Sequence, residues 1–285
     1  MILFYTKSTM HLAHLLPYQP GNYISKQFSD GEWYVKINEE VAHKKVWVIT
    51  ATNPPADHLV ELFLLLDTLQ KSNAIIHLLF TYFGYARQDN PRIQEGSSAQ
   101  IMGKFFSIFA IQKIIIIHAH SARLHEYLSF QNVIPFDLIC QTALWYDSLA
   151  APDRGAYQVV EALGKRCAIA TVFLSKIRPE QEIVKILEYN GTIKAKKVLI
   201  IDDIIATGNT IIEVSKMLTA LGAQYISVWA THGAFSTNAI HNIEQSTIRK
   251  IYVTNTLPQE RNSTKIEVVN IAPFIETLLY RYELL

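Results

Sequence analysis

A chain of 285 residues is long for one compact domain and comfortable for two, each burying a core of its own. Hydrophobic residues make up 49% and charged residues 18%, as in an ordinary globular protein, and 26 basic against 25 acidic side chains leave no positive field to draw in nucleic acid. The longest aliphatic runs, such as Ile114 to Ile117, fall far short of the roughly 20 apolar residues that cross a bilayer, so no membrane association is expected.

Met1 to Lys7 begins apolar, lacks a basic lead and is soon interrupted by polar residues, which implies no export. Cys140 and Cys167, with no second close pair, fit neither a disulfide framework nor a zinc site. A reducing cytoplasm is the expected home.

Short β-rich runs alternate with helix-length segments. Val46 to Thr50 precedes Leu59 to Leu69, Ile75 to Thr81 precedes Ala99 to Phe109, and Ile114 to Ile117 leads into turns. The rhythm resumes with strands over Cys167 to Leu174 and Val198 to Ile201, and a helix from about Thr210 to Leu221. A strand over Tyr225 to Ala230, a helix near Asn238 to Glu244 and a strand over Lys250 to Thr254 follow. Strands apolar on nearly every residue, as in Lys197 to Ile201, belong inside parallel sheets covered on both faces. The expected fold is α/β, two doubly wound parallel-sheet domains over 1–144 and 145–270, with the segment 271–285 as a candidate to pack back on the first.

Open parallel sheets place ligands beyond the carboxyl ends of their strands. Asp202 and Asp203 follow such a strand, and Thr207-Gly208-Asn209-Thr210 leads from them into a helix whose first N–H groups attract anions. Adjacent carboxylates suit sugar hydroxyls or a hydrated magnesium, and the Thr hydroxyls and loop amides suit a phosphate. The blander reading is a turn and a helix cap.

This loop resembles the ribose-phosphate-binding loop shared by phosphoribosyltransferases and ribose-phosphate diphosphokinases, the PRPP synthetase family. Five further segments resemble the synthetase and occur in its order: Phe28-Ser29-Asp30-Gly31-Glu32, Tyr82 to Asp89, Ala151-Pro152-Asp153-Arg154-Gly155, Ala230-Thr231-His232-Gly233, and Val253 to Pro258. On these the chain is identified as a member of that family, with a length similar to its archaeal-type branch. The fold implied is phosphoribosyltransferase-like. The activity implied is transfer of the β,γ-diphosphoryl group of ATP to the anomeric hydroxyl of ribose 5-phosphate, with Mg2+ as the metal.

The resemblance implies ATP contacts from Arg87, Gln88 and Asp89, where a guanidinium at a strand exit can grip phosphate in a bidentate fork. It also implies that Phe28, Asp30 and Glu32 reach the nucleotide site of a neighbouring subunit, so that a homo-oligomer completes the site. An aromatic face there can stack on adenine. His120 matches the histidine linked to metal and ATP, and Asp153 its partner carboxylate. His118 departs from the usual Asp, and either adds a second imidazole to the metal or faces solvent.

Between Val172 and Lys197 the segment has the length of an active-site lid, and Lys176 and Arg178 match the family's catalytic pair. Two cations at that spacing can meet charge developing on a phosphoryl group in flight. Asp202, Asp203, Thr207, Gly208, Asn209 and Thr210 are the expected ribose-phosphate ligands. The alternatives are a phosphoribosyltransferase, which shares only the acidic loop, and a silent regulatory relative, which would be expected to lose Lys176, Arg178, His120 or Asp153. Ala206 and Asn209 stand where the family has a polar residue and Gly. They leave open a larger acceptor such as ADP-ribose.

Overall fold

The computed structural model describes residues 1–177, 185–190, 196–236, 238–259 and 263–283. The chain forms two compact units, one of Met1–Ile134, Thr256–Pro258 and Ile271–Leu285, the other of Pro135–Asn255 and Gln259–Asn270.

The first unit opens with β1 (Ile2–Tyr5) and the short α1 (Met10–Ala13), followed by the antiparallel hairpin β2 (Tyr23–Gln27) and β3 (Trp33–Ile37). Then come β4 (Lys45–Ala51), α2 (Asp57–Lys71), β5 (Ile75–Tyr82), α3 (Ser98–Phe106), β6 (Ile111–Ile117) and β7 (Gln131–Val133). Its main sheet is parallel throughout, in the order β1-β4-β5-β6-β7. β4 and β5 sit at its middle and are buried on almost every residue, which is why their sequences show no alternation. The helix α2 buries Leu62, Leu65, Leu66 and Leu69 at helical spacing and carries Asp57 in its first turn and Lys71 in its last, each matched to the helix dipole.

The second unit runs α4 (Phe136–Ala143), β8 (Ser148–Ala151), α5 (Tyr157–Cys167), β9 (Ala170–Ile177), β10 (Lys185–Asn190), β11 (Lys197–Ile205), α6 (Asn209–Ala220), β12 (Tyr225–Gly233), α7 (Ala239–Glu244), β13 (Lys250–Thr254) and β14 (Ile266–Val269). Its sheet has the order β10-β9-β8-β11-β12-β13-β14, with β10 antiparallel to β9 and the rest parallel. One of its cores gathers Val198, Ile200, Val228 and Ala230 from the central strands with Val214 and Leu218 of α6.

The closing helix α8 (Ala272–Glu283) belongs to the first unit. Trp47 Nε1 donates to Glu283 Oε1 at 3.3 Å, Lys45 Nζ to the Tyr282 carbonyl at 3.3 Å, and the Lys113 ammonium lies 4.2 Å from the centre of the Tyr282 ring. Among the described residues no helix is long and apolar enough to cross a membrane.

Three expectations change. The 144/145 boundary moves to 134/135 because α4 packs on α5, and that packing brings Cys140 and Cys167 to a Cα separation of 6.1 Å, where they form a disulfide that spacing alone gave no reason to expect. The strand expected from Cys167 starts at Ala170 instead, since α5 runs through Cys167 and Ala168 ends it in the left-handed conformation. Finally, β11 extends past Ile201, so Asp202 and Asp203 belong to the end of the strand, with Asp202 in register with Ala230, rather than to the loop after it.

Candidate active site

In the second unit the carboxyl end of β11 collects acid. The Asp202 carboxyl is pushed well above the usual carboxylate range, first by burial and then by the nearby charges of Asp203 and Asp153; the Asp203 N–H donated to Asp202 Oδ1 at 2.9 Å opposes this only in part. Asp153 is held in turn by its place before a short helical turn, where Oδ1 accepts from Gly155 N at 2.9 Å and Ala156 N at 3.3 Å. Three carboxylates therefore lie close enough for the charges of Asp203 and Asp153 to act on Asp202, an arrangement that suits sugar hydroxyl donors.

The chain leaves this corner through Ala206 and an exposed Thr207 to Gly208, the N-cap of α6. With φ at +78° Gly208 takes a left-handed conformation, and a Cβ there would press on Ile243 at 3.3 Å. Gly208 itself brings no capping side chain to α6, and the N-terminus of a helix suits an anion. The Thr207 hydroxyl accepts from Asn209 N at 3.4 Å, and the Ala206 carbonyl accepts from Ser236 N at 2.9 Å, which ties the loop down. Asn209 is the first residue of the helix and is exposed. Thr210 follows it in the first turn, partly buried.

In the first unit, Tyr82 ends β5 and a turn through Gly84 and Tyr85 brings Arg87 and Gln88 to an exposed position, with Asp89 partly buried behind them. The turn is anchored by Thr52, whose hydroxyl accepts from Gly84 N at 2.7 Å, and by Ser98, whose hydroxyl donates to the Tyr85 carbonyl at 2.6 Å. Farther along the same sheet edge, His120 is exposed and His118 is 5% exposed with φ at +46°, its N–H donating to the Val133 carbonyl at 2.8 Å. His118 therefore does not face solvent.

The β2–β3 hairpin turns at Gly31 with φ at +93°, a conformation that needs glycine, and Glu32 N donates to Asp30 Oδ1 at 3.1 Å. Phe28 is 50% exposed at the tip, its ring set edge-on to Tyr34 at 5.8 Å, and Asp30 and Glu32 are exposed beside it. Lys176 lies in β9 in register with Ile186 of β10, and Arg178 falls outside the described residues. Among the described residues no group of three His, Cys, Asp or Glu side chains has the arrangement of a metal cage.

Residues 3–108 match the N-terminal domain of ribose phosphate pyrophosphokinase, and residues 155–282 match the phosphoribosyl synthetase-associated domain. A ribose-phosphate pyrophosphokinase of Aquifex aeolicus is 31% identical over 271 residues, 90% of this chain and 86% of the relative. The chain belongs to the ribose-phosphate pyrophosphokinase family. A pyrophosphokinase of Thermotoga maritima is 27% identical over 282 residues, 95% of this chain and 90% of the relative. The fold resembles that of the phosphoribosylpyrophosphate synthetase of Mycobacterium smegmatis with a TM-score of 0.87, at 23% identity, over 99% of this chain and 98% of that one.

For a pyrophosphokinase of this family, the structure adds three positions that the letters did not single out. Thr52 and Gly84 set the Arg87 turn; Thr52 has the signal of a polar residue just past an apolar strand. Glu61 sits on the buried side of α2 and reaches the hairpin; its signal is a carboxylate within the apolar run Leu59 to Leu66.

Proposed function

We propose that this chain is a ribose-phosphate diphosphokinase that moves the β,γ-diphosphoryl group of ATP to the anomeric hydroxyl of ribose 5-phosphate, giving PRPP and AMP, through the residues described above. The observation that carries the acceptor half is the acidic end of β11 leading through Thr207 and Gly208 to the N-terminus of α6. Asp202 and Asp203 accept hydrogen bonds from the ribose diol and orient it, while Thr207, Gly208, Asn209 and Thr210 surround the 5-phosphate. Arg87, Gln88 and Asp89 hold the nucleotide, and Phe28, Asp30 and Glu32 complete its pocket from a neighbouring subunit of a homo-oligomer.

The 1-hydroxyl attacks the β-phosphorus in line and AMP leaves. Catalysis of such a transfer is largely positioning and charge neutralisation, the work assigned to Lys176 and Arg178. Mg2+, when bound, would neutralise the triphosphate, with His120 and Asp153 as its proposed ligands. Neither carboxylate of the Asp pair needs to be a strong base in this scheme. The cytoplasm is the proposed compartment.

Incubation with Mg-ATP and either ribose 5-phosphate or ADP-ribose, followed by phosphorus NMR, tests the assignment. AMP and a new diphosphate with ribose 5-phosphate are expected. Diphosphate transfer only to ADP-ribose moves the acceptor to the larger sugar, and AMP with neither acceptor refutes the proposal.

A further inference from the structure

Among the described residues, Glu61 is the acidic side chain that is fully buried, at 0% exposure, and no step of the proposed reaction uses it. Its neighbours on α2 in the core are leucines, and burying a carboxylate in their company costs free energy that an apolar residue would not. What the carboxylate holds is therefore informative. Oε1 accepts from the Ser25 hydroxyl at 2.6 Å and faces the Tyr23 hydroxyl at 3.2 Å, and Oε2 accepts from Lys7 N at 2.9 Å. The Tyr23 hydroxyl also lies 2.7 Å from the Tyr5 carbonyl, so its single proton is shared between β1 and Glu61. Burial and the adjacent carboxylate push the Tyr23 phenol well above its ordinary range, which keeps it a donor.

Both hairpin contacts come from β2, the strand that leads into the turn at Phe28, Asp30 and Glu32. A two-stranded hairpin is marginal alone and takes its pose from what it packs on. Here Tyr23, Val35 and Ile37 lie against the core, and the Lys7 ammonium sits 4.1 Å from the centre of the Trp33 ring. Those contacts are apolar or diffuse and tolerate sliding; the hydrogen bonds to Glu61 are directional and fix the register of β2 on α2.

We propose that Glu61 is a positioning residue for the nucleotide, holding the β2–β3 hairpin so that Phe28, Asp30 and Glu32 present one fixed constellation. This rests on the reading of that turn as an ATP contact. The test compares Glu61→Gln, Ser25→Ala and Phe28→Ala in the full-length protein by steady-state kinetics, thermal unfolding and amide exchange. In Glu61→Gln one of the two acceptor oxygens becomes an NH2, so either the Lys7 N–H or the Ser25 and Tyr23 hydroxyls lose their acceptor. We expect the KM for ATP to rise at least about fivefold with the KM for ribose 5-phosphate within about twofold, and faster exchange over 23–37 than in α2 or β4. Ser25→Ala should move both readouts the same way by less, and it carries the test if Glu61→Gln does not fold. A lowered melting temperature with unchanged hairpin exchange and unchanged KM for ATP makes Glu61 merely structural and overturns the proposal. If Phe28→Ala also leaves the KM for ATP unchanged, the reading of the turn fails and the nucleotide role falls with it, whereas unchanged exchange with a raised KM in Phe28→Ala overturns the anchor alone.

Discussion

Replacing Gly84 by alanine is the sharpest probe of the Arg87 turn. A Cβ at that position would lie 2.3 Å from the Thr52 carbonyl oxygen and 2.9 Å from its carbon, both backbone atoms. Thr52 cannot yield easily: it is fully buried, its N–H donates to the Tyr82 carbonyl at 3.1 Å, and its hydroxyl takes the Gly84 N–H at 2.7 Å. Restoring an ordinary contact needs a backbone shift of about 1 Å, and overpacking of this kind costs about 1–3 kcal/mol, with about 1 kcal/mol more if the Gly84 to Thr52 hydrogen bond is lost. For a unit of this size that lowers the melting temperature of the first unit by roughly 2–16 °C. The same shift would move Arg87 off the phosphate it is proposed to hold, and a misplacement of about 1 Å can cost on the order of 100-fold in kcat/KM for ATP. Differential scanning calorimetry and steady-state kinetics on Gly84→Ala give both numbers. Gly96→Ala is the control, since no atom lies within 4 Å of its Cβ, and it should be neutral or stabilise by about 0.4–1 kcal/mol. A Gly84→Ala protein with unchanged melting temperature and ATP kinetics would refute the steric account of the turn.

Asp202→Asn tests the acidic corner by pH. Because the folded carboxyl holds its proton above the ordinary range, the native state binds a proton that the unfolded chain has lost, so wild-type stability should fall as pH rises from the usual carboxylate range up to the raised value. In metal-free buffer the Asn variant should lack this fall and melt higher than wild type at neutral pH; parallel melting curves across that window would contradict the burial argument. Lys176→Ala and Arg178→Ala should each lower turnover at least about tenfold, about 1.4 kcal/mol of barrier, with circular dichroism unchanged, and full turnover in both removes them from the mechanism. Gly208→Ala should cost about 1–2 kcal/mol through its left-handed φ and raise the KM for ribose 5-phosphate, and Ile243→Val in the same chain should recover the part due to the crowded Cβ, as a double-mutant cycle would measure.

The parallel sheets were legible because β4, β5 and β11 are apolar on nearly every residue, a pattern that only strands covered on both faces can sustain. The acceptor loop was legible because its chemistry is contiguous, running from Asp202 to Thr210 in one stretch. The end of β11 was harder to place, because polar residues can continue a ladder when the neighbouring strand still offers partners, as β12 does opposite Asp202. The pairing of Cys140 with Cys167 ran against expectation because a helix-to-helix contact leaves no mark in a spacing.

Sequence alone thus determined the α/β class, the family and the order of the candidate site segments, all carried by local periodicity and short contiguous motifs. Tertiary structure decided what depends on groups far apart in the chain: the raised proton affinity of Asp202 next to Asp153, the burial of His118, and the exposure of Asn209. It also decided the hold of Glu61 on a hairpin 36 residues away, since burial and hydrogen bonding are set by what the fold brings near and not by what the chain places next.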